Sequence, residues 1–284
     1  MYVVMGAGGQ TGGAVAHTLL EHKQPVRVVL RPGRDGSSWT ARGAEVAFAD
    51  VTDADALTAA LTGAHAAYVL NPPDYTGGDM FRSARQVAEA YRSALATTGT
   101  RAVALSSIGA QHAEGTGNIA TTHILEATLA PLGASFVRAG NFLSNWLSSL
   151  PAMRDGLLTS FFTPLDRPVP HTAAADIAAT VVRELRRPGT RTVEIAAPAD
   201  YSPLDVAAAF SQALGRPVTA RDVPRAQWQQ ALADRGMPAR LAADLIAMWD
   251  GFNSGHICFE GTPERGTVTL ADFAARAVRQ EVSA

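Results

Sequence analysis

The residues best suited to chemistry stand at the start of the chain, where Gly6, Gly9 and Gly12 repeat every third position between an apolar run, residues 2–5, and a helix-compatible run, residues 14–20. Strand, glycine turn and helix form the context in which a dinucleotide fingerprint carries meaning. A helix N-terminus offers unpaired N–H groups and a positive dipole end to a pyrophosphate, and glycines let the backbone come close to it. The spacing is G-x-x-G-x-x-G; the narrower G-x-G-x-x-G would need a glycine where Thr11 stands. Gln10 and Thr11 fall in the same turn and complete the expected phosphate cradle.

The next strand, residues 26–30, ends in Arg31-Pro32-Gly33-Arg34. A site that prefers NAD carries an acid about 20 residues past the glycines, bonded to the ribose 2′-hydroxyl. Here that strand tip holds Arg31, and a guanidinium suits a 2′-phosphate because it is permanently charged and bonds in bidentate fashion. The expected cofactor is therefore NADP(H).

These residues need elements to position them, and the first half supplies a strand–helix alternation typical of a parallel sheet. Strands are expected at residues 45–49, 64–70, 101–105 and 134–139. Helices are expected at 37–43, 53–61, 79–98 and 119–129, with residues 108–118 as a flexible, glycine-containing loop. A doubly wound sheet presents ligands at the C-terminal ends of its strands. That rule collects Asp50 and Val51 for the adenine, Asn71-Pro72-Pro73 for the ribose and nicotinamide, Ser106 and Ser107, and Asn141-Phe142. Asp50 is equally readable as a turn cap, and Pro72-Pro73 as a plain strand stop.

Past residue 141 the rhythm loosens. Residues 143–154 read as an apolar helix, 171–197 as a segment returning to the sheet, and the remainder as a smaller lobe of aromatic and methionine-bearing helices. The expected division is a dinucleotide-binding domain over 1–140 and a substrate lobe over 141–284. Trp146, Trp228, Met237 and Trp249 are candidates to line a pocket, although aromatics more often fill a core.

Composition narrows the classes. Hydrophobic residues make up 47% and charged residues 18% of 284, with a net charge of −2 and no basic run. That balance argues against nucleic-acid and polybasic membrane surfaces. No apolar stretch reaches spanning length, and the first strand starts at residue 2, so a cytoplasmic protein is expected. One cysteine, Cys258, excludes an internal disulfide, and no His-x-x-x-His, C-x-x-C or G-x-S-x-G pattern is present.

Taken together, the chain resembles the NmrA-like branch of the atypical short-chain dehydrogenase/reductases. The resemblance rests on the glycine turn, Arg31, Asn71-Pro72-Pro73, Ser106-Ser107-Ile108-Gly109, Arg138-Ala139-Gly140-Asn141-Phe142 and residues 171–177, with Leu214-Gly215-Arg216-Pro217-Val218 and Gly236-Met237-Pro238 in the lobe. It implies a Rossmann core binding NADP(H) and a C-terminal lobe closing over a cleft. Standard short-chain reductases place Tyr-x-x-x-Lys on the helix after the fifth strand; here that helix reads Asn118-Ile119-Ala120-Thr121-Thr122-His123-Ile124-Leu125-Glu126. It holds neither tyrosine nor lysine. His123 is the nearby group suited to proton exchange at neutral pH, Ser107 the hydroxyl able to polarise a substrate, and Glu126 reads as a solvated helix residue.

Two expectations follow. One is an NADPH-dependent reductase of a small apolar carbonyl, quinone or enone, acting as monomer or homodimer. The other is a non-catalytic NADP(H) sensor, which the missing Tyr-Lys pair motivates.

Overall fold

Tyr2–Met5 forms β1, and both of its faces are covered: Val3 and Met5 pack into one apolar cluster, Val4 into another, all fully buried. Burial on both faces is why a parallel strand reads as a continuous apolar run. The structure, a computed structural model, describes residues 1–72 and 78–282, without the side chains of 280–282.

The first half follows in strict alternation. It runs α1 (Gln10–Glu21), β2 (Val26–Leu30), α2 (Ser37–Thr40), β3 (Glu45–Phe48), α3 (Ala54–Leu61), β4 (Ala66–Val69), α4 (Met80–Thr98), β5 (Arg101–Ser107), α5 (Ala120–Leu129) and β6 (Ser135–Ala139). Local chemistry sets the boundaries. Asp53 and Asp79 cap α3 and α4 by accepting first-turn N–H groups, and Gly99 ends α4 at φ +65°.

The second half runs β7 (Asn141–Phe142), α6 (Leu150–Arg154), β8 (Leu157–Ser160), β9 (His171–Thr172), α7 (Ala174–Arg186) and β10 (Thr192–Ala196). It closes with α8 (Pro203–Leu214), β11 (Thr219–Asp222), α9 (Trp228–Ala233), α10 (Ala239–Ser254), β12 (Glu264–Arg265) and α11 (Leu270–Val282).

Eight strands make one parallel sheet in the order β12-β10-β6-β5-β4-β1-β2-β3. Helices α3, α4 and α5 cover one face through Leu57, Tyr91 and Leu125; α1 and α7 cover the other through Leu19, Ile177 and Val181. The sheet is thus doubly wound, and the order reverses between β4 and β1, where such folds bind ligands. A separate core joins Trp146, Leu158, Phe210 and Phe252 in the second half. Among the described residues, no helix is long and apolar enough to cross a membrane.

Several expectations need correction. Residues 143–154 are not one helix: Leu143–Ser149 is 3-10, and α6 begins only at Leu150. The loop after β5 is not open. Ile108, Ala110 and Thr116 are fully buried, and Gly117 passes so close to α10 that a Cβ would lie 2.0 Å from the Asp244 carbonyl. Trp146 and Trp228 are core residues rather than pocket walls, each donating its ring N–H internally, to His171 and to the Val223 carbonyl. The short pair β7–β9 and the edge strand β12 have no counterpart in the sequence reading, because two-residue strands carry no periodicity.

Candidate active site

The strand tips converge as the parallel order requires, and the glycine turn sits at the reversal point. Gly6 adopts φ +65°, and a Cβ on Gly12 would lie 2.3 Å from the Gly6 carbonyl oxygen, so α1 starts directly against the end of β1. Gly13 is the first to close a helical bond, donating to Gly9 O at 2.9 Å. The N–H groups of Gln10, Thr11 and Gly12 are therefore left at an N-terminus that carries no side-chain cap. Gly9 differs from its neighbours: its φ is −106°, and a Cβ there would meet only Gly6 O, at 3.4 Å. A concave turn with free N–H donors and no side chain above it fits a pyrophosphate.

Thr11 needs correction as a side-chain ligand. Its hydroxyl is buried and accepts from the Tyr68 hydroxyl at 3.0 Å, so only its main-chain N–H faces the turn. Gln10 is exposed, and its Oε1 accepts from Ser144 Oγ at 2.9 Å, linking the turn to the segment after β7.

Arg31 stands exposed at the tip of β2, and Gly8 of the turn lies against Leu30, the residue before it. Asp50, at the tip of β3, bends its own loop by accepting from Thr52 Oγ1 at 2.6 Å and Thr52 N at 2.9 Å. Those bonds, with a smaller contribution from Arg31, hold its carboxyl below the usual range. Asp50 is thus a turn-former whose Oδ1 is already engaged; Val51 beside it is half-buried. Asn71 and Pro72 lie half-buried at the tip of β4, while Pro73 falls outside the described residues.

The two serines of β5 separate sharply. Ser106 needs correction: it is buried and donates to Glu126 Oε1 at 2.5 Å, away from any ligand. Glu126 is correspondingly not solvated but paired in the interior with Arg138. Ser107 is half-buried, and its hydroxyl bonds to none of the described residues. Its carbonyl accepts from Ala110 N at 3.0 Å, and the Ala110 carbonyl accepts from His123 Nδ1 at 2.8 Å. Ser107 and His123 are thereby held by one turn, with Nε2 of His123 bonded to none of the described residues. Asn141 donates its N–H to Pro170 O and accepts from Asn145 Nδ2; Phe142 is half-buried and packs against the apolar cluster that α1 and α7 share with the sheet.

Asn141 pairs in register with His171, a residue whose role the sequence did not specify. His171 Nδ1 donates to Val169 O at 2.7 Å, and its Nε2 accepts from Trp146 at 3.0 Å. The ring is therefore neutral, and burial pushes its pKa from 6.5 down to about 4. An unfolded chain takes up this proton first as pH falls through 6.5 to 4, so the stability contributed by the neutral ring is complete above 6.5 and lost across that window. Going from pH 7 to pH 5 is expected to remove about 2 kcal/mol of stability through this group. Urea midpoints at the two pH values check it; His171→Gln should show a smaller loss than the wild type.

Glu126 and Arg138 also escaped the sequence reading as site residues. The available signal was an arginine alternating with apolar residues inside a strand, Phe136-Val137-Arg138, since a charge there must be paired. No group of three His, Cys, Asp or Glu side chains suited to a metal occurs among the described residues.

Comparisons with known proteins identify the family and the fold. A model of the NmrA-like family matches residues 2–260. The chain is 30% identical over 250 residues to an NAD(P)H azoreductase from Xenophilus azovorans, covering 85% of this chain and 84% of the relative. It is 28% identical over 257 residues to quinone oxidoreductase 2 of Escherichia coli (strain K12), covering 87% and 86%. Among solved structures, an NADPH-dependent quinone oxidoreductase from Escherichia coli complexed with NADPH superposes with a TM-score of 0.81 at 24% identity, over 97% of this chain and 99% of the other.

Proposed function

The chain belongs to the NmrA-like family, and from that premise we propose that it is an NADPH-dependent reductase of conjugated electrophiles such as quinones and azo compounds. The observation that carries this reading is the pairing of an uncapped glycine turn with Ser107 at the tip of β5 and His123 on α5, in the absence of a Tyr-Lys pair. The similarity to an NAD(P)H azoreductase and to a quinone oxidoreductase supports the reductase activity and the cofactor.

The turn Gly6–Gly12 would hold the pyrophosphate and Arg31 the 2′-phosphate, with Val51 against the adenine and Asn71, Pro72, Asn141 and Phe142 towards the nicotinamide end. When bound, the cofactor supplies a hydride. The protein must then steady the charge left on the substrate and deliver a proton. In a simple ketone that charge stays on one oxygen and calls for a strong acid close by. In a quinone or an azo compound it spreads over the conjugated system, so a weaker donor suffices. Ser107 Oγ, which has no partner among the described residues, is placed to donate to the substrate, and Nε2 of His123 or solvent supplies the proton.

Ser107→Ala should lower kcat for a quinone roughly tenfold to a hundredfold while leaving NADPH affinity unchanged, less than the hundredfold or more lost with a donor to a localised oxyanion, because the charge here is delocalised. His123→Phe should likewise lower kcat while leaving NADPH affinity unchanged. Steady-state rates beside a direct NADPH titration check both. Unchanged kcat in both variants would remove these residues from the chemistry.

A further inference from the structure

Ser106, Arg138 and Glu194 stand side by side on β5, β6 and β10, in direct register across three strands. Glu126 of α5 reaches down onto this row. Its Oε1 accepts from Ser106 Oγ at 2.5 Å and from Arg138 Nε at 2.9 Å, and its Oε2 from Arg138 Nη2 at 2.8 Å. Both partners are close to fully buried, with side-chain exposures of 8% and 11%. The remaining arm of Arg138, Nη1, bonds Glu260 after α10. Glu194 accepts from the N–H groups of Glu260 and Gly261 at 2.9 Å each, pinning the same segment.

Burying this pair costs desolvation that a well-packed apolar pair of similar volume would avoid, so it is a poor device for stability alone. Its placement suggests another use. Ser106 precedes Ser107, and His123 lies three residues before Glu126, on the same side of α5. One carboxylate therefore ties the strand tip carrying Ser107 to the helix turn carrying His123.

We propose that Glu126 and Arg138 are positioning residues for the reductase site, fixing α5 against the tip of β5 so that Ser107 and His123 keep their mutual placement. The proposal rests on the function proposed above. Glu126 fixes the rotation of α5 through two bonds to one guanidinium, and fixes the strand tip through Ser106. Arg138 in turn anchors the segment after α10, so the second half of the chain is fastened to the same point.

The test is a set of variants in the full-length protein. Glu126→Ala should lower kcat for a quinone by about tenfold or more, the scale of small misplacements of reacting groups, with NADPH affinity within about twofold of wild type, the cofactor contacts lying elsewhere. Glu126→Gln, which retains the acceptor for Ser106, should recover part of that loss. The double variant Glu126→Leu/Arg138→Met should regain the melting temperature of the wild type or exceed it, yet stay as slow as Glu126→Ala. Recovery of kcat together with thermal stability in the double variant would overturn the proposal, as would an unchanged kcat in Glu126→Ala.

A measurement without cofactor or turnover separates this idea from the reductase assignment. The backbone N–H groups of the α5 turn around His123 should exchange about tenfold faster in Glu126→Ala than in wild type, as local opening becomes easier. If exchange is faster but the wild type oxidises no NADPH, the reductase reading fails while the positioning holds. Equal exchange rates would refute the positioning itself.

Discussion

Gly9→Val is expected to abolish NADPH binding while leaving the protein folded. The backbone at Gly9 has φ −106° and ψ 177°, which valine adopts readily, and a Cβ there meets nothing nearer than Gly6 O at 3.4 Å. The isopropyl group would instead occupy the space above the uncapped N-terminus of α1, where the pyrophosphate must approach the N–H groups of Gln10, Thr11 and Gly12. Affinity should fall by at least about 100-fold, close to 3 kcal/mol, with a melting temperature near that of the wild type. Gly12→Ala makes the contrasting case. Its Cβ would stand 2.3 Å from Gly6 O and 2.6 Å from Met5 O, so this substitution must push α1 off the sheet and should lower the melting temperature as well. Binding retained in Gly9→Val would refute the phosphate turn.

Arg31→Glu should weaken NADPH roughly 100-fold while changing NADH affinity little. The substitution removes a charge-assisted bidentate partner and puts a carboxylate against the 2′-phosphate, and the two effects together are worth about 3 kcal/mol at this exposed position. Arg31 is exposed and forms no ion pair with the described residues, contributing only weakly to the electrostatics of Asp50, so the fold has little need of it. Titration of both cofactors against both proteins checks the prediction. Equal losses for NADPH and NADH would assign Arg31 to a general electrostatic role rather than to the 2′-phosphate.

The sheet was legible in the sequence because its central strands are buried on both faces and its helices carry local stop signals. Asp53, Asp79 and Gly99 mark their boundaries by chemistry that needs no tertiary context. The glycine turn was legible for a similar reason: a close approach of backbone to backbone admits only one residue type, as Gly12 demonstrates. The directions of side chains were not legible. Ser106 and Ser107 are adjacent hydroxyls at one strand tip, yet the alternation of a strand sends the first to Glu126 and leaves the second without a partner among the described residues. Thr11 looked equivalent to Gln10 until Tyr68, 57 residues later, claimed its hydroxyl. Glu126 read as a solvated helix residue because the arginine that buries it arrives from a different strand. The loop at 108–118 read as open because its glycines suggest freedom, whereas Gly117 is there to let α10 press against the backbone.

The central claim is that this turn and this strand tip together make a reductase. The most direct measurement is a fluorescence titration of the protein with NADPH, followed in the same cuvette by a quinone and then an azo compound. Saturable binding, with oxidation of the cofactor on addition of at least one of the two, is expected. Saturable binding with no oxidation across both substrate classes would contradict the reductase and leave a protein that only senses NADP(H); absence of binding would contradict the phosphate turn on which everything else stands.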